Sequence, residues 1–156
     1  MIGSQPVLGQ FPGAPGEMLA SDEADVFPRA DPSRSELIDG SIGQGSPFEK
    51  TFGYYAHGVD ETTAVLPEGW RDRLVLVENA NTQYVRGWCL EVHDLAIAKY
   101  AAGREKDLDC TAALARHAMV ERDVLEQRLA ATQLDADAKE RVLARIRQDF
   151  AASYPR

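Results

Sequence analysis

The sequence predicts an α+β fold, and three observations carry that expectation. Composition breaks near residue 90: nearly all of the 12 glycines and 8 prolines, and both tryptophans, lie before it. Beyond it come a single Gly103, Pro155 near the end, and many Ala, Leu, Arg and Glu. Short apolar runs separated by turn residues fill the first part, and apolar residues at helical spacing fill the second. Residues 1–90 are therefore expected to form an α/β core, and residues 91–156 a helical portion of the same compact unit.

Each element has a local reason. A strand ending at Gly3 has almost no length, so the start is expected either to be truncated or to lean on a neighbouring strand, and the run from Phe11 to Gly16 is a loop by its Pro and Gly content. Ala24 to Phe27 reads as a short strand stopped by Pro28. Asp31 suits an N-cap and Pro32 the first helical position, which predicts a helix through Ile38 that stops near Gly40. Ser46 with Glu49 three residues on is a capping box that opens the next helix. Phe52 to Val59 is aromatic and β-prone, Leu74 to Val77 is the strongest strand, and Gly87 to Leu90 is a short one, with a turn at Asn79 to Asn81. Four helices follow: Asp94 to Ala102, Arg104 to Met119 after the break at Gly103, Asp123 to Ala131, and a last one capped by Asp135. That last helix carries a stripe of Val142, Leu143, Ile146 and Phe150.

Length and charge bound the function. A chain of 156 residues with 44% hydrophobic content can bury a core. Its formal charge of −8 argues against general duplex-DNA binding, which needs a basic surface, while leaving room for a local basic pocket. No run approaches the roughly 18 to 20 apolar residues that cross a bilayer, and no basic segment followed by an apolar one opens the chain. Cys89 and Cys110 cannot frame a disulfide scaffold or a four-thiolate zinc site. Two reduced structural thiols in a cytoplasmic protein are expected.

Three groups of residues could carry chemistry. On a strand, Glu23 and Asp25 project from one side, about 7 Å apart, and two such carboxylates can share a divalent cation with a triphosphate. The plainer alternative is a solvated edge strand. Gly3 and Ser4, some twenty residues upstream, could bring backbone amides and a hydroxyl to a phosphate. Lys99 and the run Arg104, Glu105, Lys106, Asp107 form a mixed-charge cluster. Lys99 and Lys106 would share a face if one helix ran through Gly103, and a surface salt-bridge network accounts for the same residues. His57, His93 and His117 match no metal-ligand spacing along the chain.

In this order, these residues resemble the minimal nucleotidyltransferases. The chain is more closely similar to a bacterial family of nucleotidyltransferases assigned as domains of unknown function, related to toxins of abortive-infection type IV toxin–antitoxin systems. The strings that carry the likeness are Ile2-Gly3-Ser4-Gln5, Glu23-Ala24-Asp25, Asp39-Gly40-Ser41-Ile42-Gly43, Phe52-Gly53-Tyr54-Tyr55, Gly87-Trp88-Cys89-Leu90-Glu91, Asp94 to Lys99, and Gly103 to Asp107. The resemblance implies a small mixed sheet flanked by helices, with a helical C-terminal portion. It implies transfer of a nucleotidyl group from a nucleoside triphosphate, with Mg2+, to a tRNA end or a protein, and a cognate antitoxin as partner.

By the same resemblance, Gly3 and Ser4 would contact the triphosphate and Glu23 and Asp25 would hold metal. Lys99 would neutralise phosphate charge with Arg104 or Lys106 assisting, and Asp107 would orient Lys99 or act as a base. Two features depart from the family pattern. The first acid is Glu23 where Asp is usual, displacing the carboxylate by about 1.5 Å, and a third acid is left open between Asp60 and Glu78. A degenerate member that binds without transfer, and an acidic helical interaction module, are the rival classes.

Overall fold

The computed structural model describes Met1, residues 5–19 and residues 21–153. Gly3 and Ser4, with the short strand expected there, lie outside the described residues. The fold is α+β, and the chain divides into two compact units, Met1–Thr63 with Val75–Cys89, and Ala64–Leu74 with Leu90–Arg156.

The first unit contains α1 (Val7–Gln10), β1 (Glu23–Val26), α2 (Ser35–Ile42), α3 (Pro47–Phe52), β2 (Tyr55–Gly58), β3 (Val75–Val77) and β4 (Gly87–Cys89). Among the described residues the expected mixed sheet takes the form of two separate pairs: β1 with β2 in parallel, and β3 with β4 antiparallel. A parallel pair needs a long crossover, and α2 and α3 supply it. The Asp31-Pro32 signal opens only a 3-10 turn, Pro32–Arg34. The Asp31 carboxylate is occupied by the Ser33 and Arg34 side chains and makes no capping hydrogen bond to the turn. α2 then runs past Gly40 to Ile42, since a glycine inside a helix costs only about 1 kcal/mol.

The Ser46 cap forms as expected, its hydroxyl accepting from the Glu49 amide at 3.2 Å, but the Glu49 carboxylate accepts from Gly45 rather than Ser46. α3 extends through Phe52 and is ended by Gly53 in the left-handed region (φ 78°), so β2 begins only at Tyr55. α2 packs on β2 at very short range. The Gly58 amide donates to Asp39 Oδ1 at 3.0 Å, and a Cβ on Gly58 would stand 2.1 Å from the Ser35 carbonyl oxygen.

The second unit is helical: α4 (Val92–Ala102), α5 (Glu105–Arg116), α6 (Arg122–Ala130) and α7 (Ala136–Ser153). Glu91 caps α4 by accepting from the His93 and Asp94 amides, so this helix starts two residues before the expected Asp94. Gly103 ends it at φ 66°, and Asp135 caps α7 through the Ala138 amide at 2.7 Å. On α7, Val142 and Ile146 are buried as the stripe predicts, Leu143 and Phe150 are half-buried, and Asp149 joins the inner face.

α4 packs against α5, α6 and α7, and every residue from Asp94 to Tyr100 is buried. A helix surrounded in this way buries its polar residues too, and each must then find a partner. Asp94 is fully buried and accepts two bonds from Arg73, at 2.8 and 2.9 Å, with Arg128 3.4 Å away. Arg73 lies on the 64–74 segment, which is also tied to the helices by the Glu68 amide on the Ala131 carbonyl at 2.9 Å. No helix among the described residues is long and apolar enough to cross a membrane. Both cysteines are free.

Two tests follow from this packing. Gly58→Ala should cost about 1 to 3 kcal/mol by overpacking α2 against β2. Gly40→Ala, with open space around its new Cβ, should be neutral or stabilising by up to about 1 kcal/mol. Urea unfolding of both variants reads the contrast, and equal effects would contradict the close approach. Arg73→Ala leaves Asp94 short of its bidentate partner and should cost about 3 to 5 kcal/mol in the same measurement.

Candidate functional site

Side chains alternate along β1, so Glu23 and Asp25 share one face, and the parallel register pairs Glu23 with Tyr55 and Asp25 with His57. His57 therefore joins the acids on that face. Its Nδ1 lies 3.4 Å from a Glu23 oxygen and 3.8 Å from an Asp25 oxygen, and one ligand atom from each of the three residues falls within 4.8 Å of the others. The acids are half-buried and the imidazole is 53% exposed, so the group is accessible from solvent. Desolvation and the surrounding carboxylates, Glu23 foremost, push the neighbouring Tyr55 phenol above its ordinary range. The donor set of two carboxylates and an imidazole fits a divalent cation.

His57 is the residue that the sequence reading passed over. Nothing in its spacing to the other histidines marks it, because its partners are acids brought beside it by strand pairing. Of the two later acids considered, Asp60 accepts from the Thr62 amide and hydroxyl, and Glu78 is paired with Arg86 at 2.9 Å. Neither belongs to the ligand group found among the described residues.

A cavity of about 790 Å³ also lies in the first unit, lined by Asp22, Ala24, Val77 and Cys89 among others. Ala24 faces away from Glu23 and Asp25, so this space opens on the opposite side of β1 from the acids.

Lys99, Arg104, Lys106 and Asp107 are placed in the second unit. Gly103 separates α4 from α5, so Lys99 and Lys106 sit on different helices, and Lys106 is exposed. Lys99 and Asp107 are buried and bonded, Nζ to Oδ1 at 3.1 Å, and Arg104 closes on both carboxylate oxygens at 2.6 and 3.3 Å. Arg104 itself is 65% exposed. Burial pushes the Asp107 carboxyl up, but the hydrogen bonds and charges of Arg104 and Lys99 outweigh it and hold the group below the usual carboxylate range. The Lys99–Asp107 pair is buried, where composition suggested a surface network, Arg104 joins it from the surface, and the three charges sum to one positive charge.

His93 has a structural role. Its Nδ1 is 2.6 Å from Glu91 Oε1, and its Nε2 accepts from the Glu121 amide at 2.9 Å, which assigns the proton to Nδ1.

A small α+β protein with carboxylates gathered on one strand face, and a second, helical unit carrying a buried Lys–Asp pair joined by a surface arginine, is the class that fold and site define. The chain belongs to a family described as nucleotidyltransferase of unknown function (DUF6036), whose model matches residues 47–154. That stretch contains His57, Lys99 and Asp107, whereas Glu23 and Asp25 precede it. No curated protein and no solved structure matches the chain.

The Asp107 network carries a pH test. A carboxyl with a lowered folded-state pKa stabilises the fold above its unfolded value, near 3.9, and that contribution is lost as pH falls through the folded value. Wild-type stability should therefore drop as pH is lowered from 5 to 3, and Asp107→Asn should show a shallower drop from a lower starting point. At neutral pH that variant leaves Lys99 buried without its counter-charge and should cost about 3 to 5 kcal/mol. Urea midpoints across the pH series give both quantities.

Proposed function

We propose that this protein moves a nucleotidyl group from a nucleoside triphosphate to an acceptor hydroxyl, with Mg2+ held by Glu23 and Asp25. The observation that carries the reading is the same-face acid pair on β1, taken with membership of a nucleotidyltransferase family. When bound, a divalent cation neutralises phosphate oxygens and orients the triphosphate for in-line displacement. Glu23 and Asp25 hold it, and Gly3 and Ser4 are assigned to the triphosphate from the sequence alone.

Lys99 is assigned to offsetting phosphate charge, with Arg104 and Lys106 as exposed cations of the same helical unit. Both Asp107 oxygens are engaged by Lys99 and Arg104, which supports an orienting role for Asp107 over that of a base. The acceptor we propose is an RNA, such as a tRNA end, or a protein, and the partner is an antitoxin that restrains the activity in a cytoplasmic setting.

Incubation with each labelled triphosphate, Mg2+, total tRNA and the protein itself tests this reading directly. Label should move to one acceptor, and Asp25→Ala should lower the rate by roughly a hundredfold or more, the scale of losing a positioned electrostatic group. Thermal shift should show little change with Mg2+ alone, because two carboxylates leave most of an octahedral shell to water and phosphate, and a clear rise with Mg2+ plus triphosphate. Triphosphate binding with no transfer would instead favour a nucleotide-binding protein.

A further inference from the structure

Glu23 and Asp25 account for two of the three ligand atoms that meet on the face of β1 and β2, and the third is an imidazole nitrogen in place of the expected third acid. We propose that His57 is a direct ligand to the cation held by Glu23 and Asp25, and that the resulting site prefers a first-row transition-metal dication to Mg2+. This rests on the metal-site reading above and adds to it the identity of the ion.

The geometry is that of ligands around a common point. Two ligand atoms each about 2.1 Å from an ion stand about 3.0 Å apart at a right angle and about 3.4 Å apart at a tetrahedral one. Nδ1 of His57 is 3.4 Å from Glu23 and 3.8 Å from Asp25, so small side-chain rotations close the set. The backbone already provides the arrangement: the parallel register places His57 directly across from Asp25, with Glu23 two residues along on the same face. Three protein ligands with a solvent-accessible imidazole leave positions for water or phosphate oxygen, as in working metal sites and unlike closed structural ones.

The nitrogen decides the selectivity. Mg2+ is a hard ion that takes oxygen ligands and dehydrates reluctantly, so an imidazole adds little to its binding. First-row transition dications accept imidazole readily, with affinity rising from Mn2+ along the series. Mn2+ is therefore the stringent probe, as the weakest binder of the group. The third ligand also removes the need for a triphosphate to complete the set, so Mn2+ should bind where Mg2+ alone does not.

The experiment is nucleotide-free Mn2+ titration of the full chain, followed by Mn2+ paramagnetic resonance and by competition with Mg2+. Wild type should bind Mn2+ at least tenfold more tightly than Mg2+. His57→Ala and His57→Gln should each lose about tenfold or more for Mn2+, while Mg2+ binding in the presence of triphosphate stays within about twofold. Asp25→Ala should lose both ions. Melting temperature checks that the variants fold, which the exposure of His57 favours. Wild-type Mn2+ affinity retained in both His57 variants, or no preference for Mn2+ over Mg2+, overturns the proposal. Histidine-dependent Mn2+ binding without any label transfer would leave the proposal standing and defeat the transferase reading. Label transfer by the wild type together with Mn2+ affinity retained in both His57 variants would do the reverse.

Discussion

Parallel pairing of β1 with β2 is the constraint on which the first unit depends. Two strands of four residues bury little on their own, and the pair is held by what crosses between them. α2 lies close enough to β2 that Gly58 has room for no side chain, and Asp39 binds the Gly58 amide. Fixing the end of β2 in this way fixes its register against β1. A slip of one residue would send His57 to the opposite face from Glu23 and Asp25. The chemistry of the face is thus a consequence of a helix–strand contact that contains none of its ligands.

In the second unit the governing fact is that α4 is enclosed. Helices on several sides leave no solvent face for Asp94 or Lys99, so each becomes the centre of an ion network, Asp94 with two arginines and Lys99 with Asp107 and Arg104. A solvated lysine could be removed at a cost of about 0 to 1 kcal/mol, but a buried one is part of what holds α4 to α5. Substitution there alters folding and any phosphate-directed role together, whereas the exposed Arg104 guanidinium offers charge at the surface of the same network.

Much of the fold was legible along the chain. The Ser46 and Asp135 caps, the Gly103 stop, the Val75–Val77 strand and the helical second half all rest on interactions within a few residues, which sequence spacing reports. Expectations strayed where a competing interaction won. Asp31 bonded its neighbours' side chains and opened only a 3-10 turn. Phe52, though β-prone, finished α3 because Gly53 was there to end it. Glu91 captured the amides ahead of Asp94.

The sequence by itself determined the composition break, the caps and stops, and the alternation that puts Glu23 and Asp25 on one side of a strand. Each is a short-range consequence of backbone geometry and residue type. Only the tertiary structure decided which strand lies beside β1, and so that a histidine 32 positions after Asp25 in the chain joins the acids while Asp60 and Glu78 are engaged elsewhere. It likewise decided that Lys99 is enclosed. Pairing partners and burial are set by contacts between residues far apart in the chain, and local spacing carries no record of them.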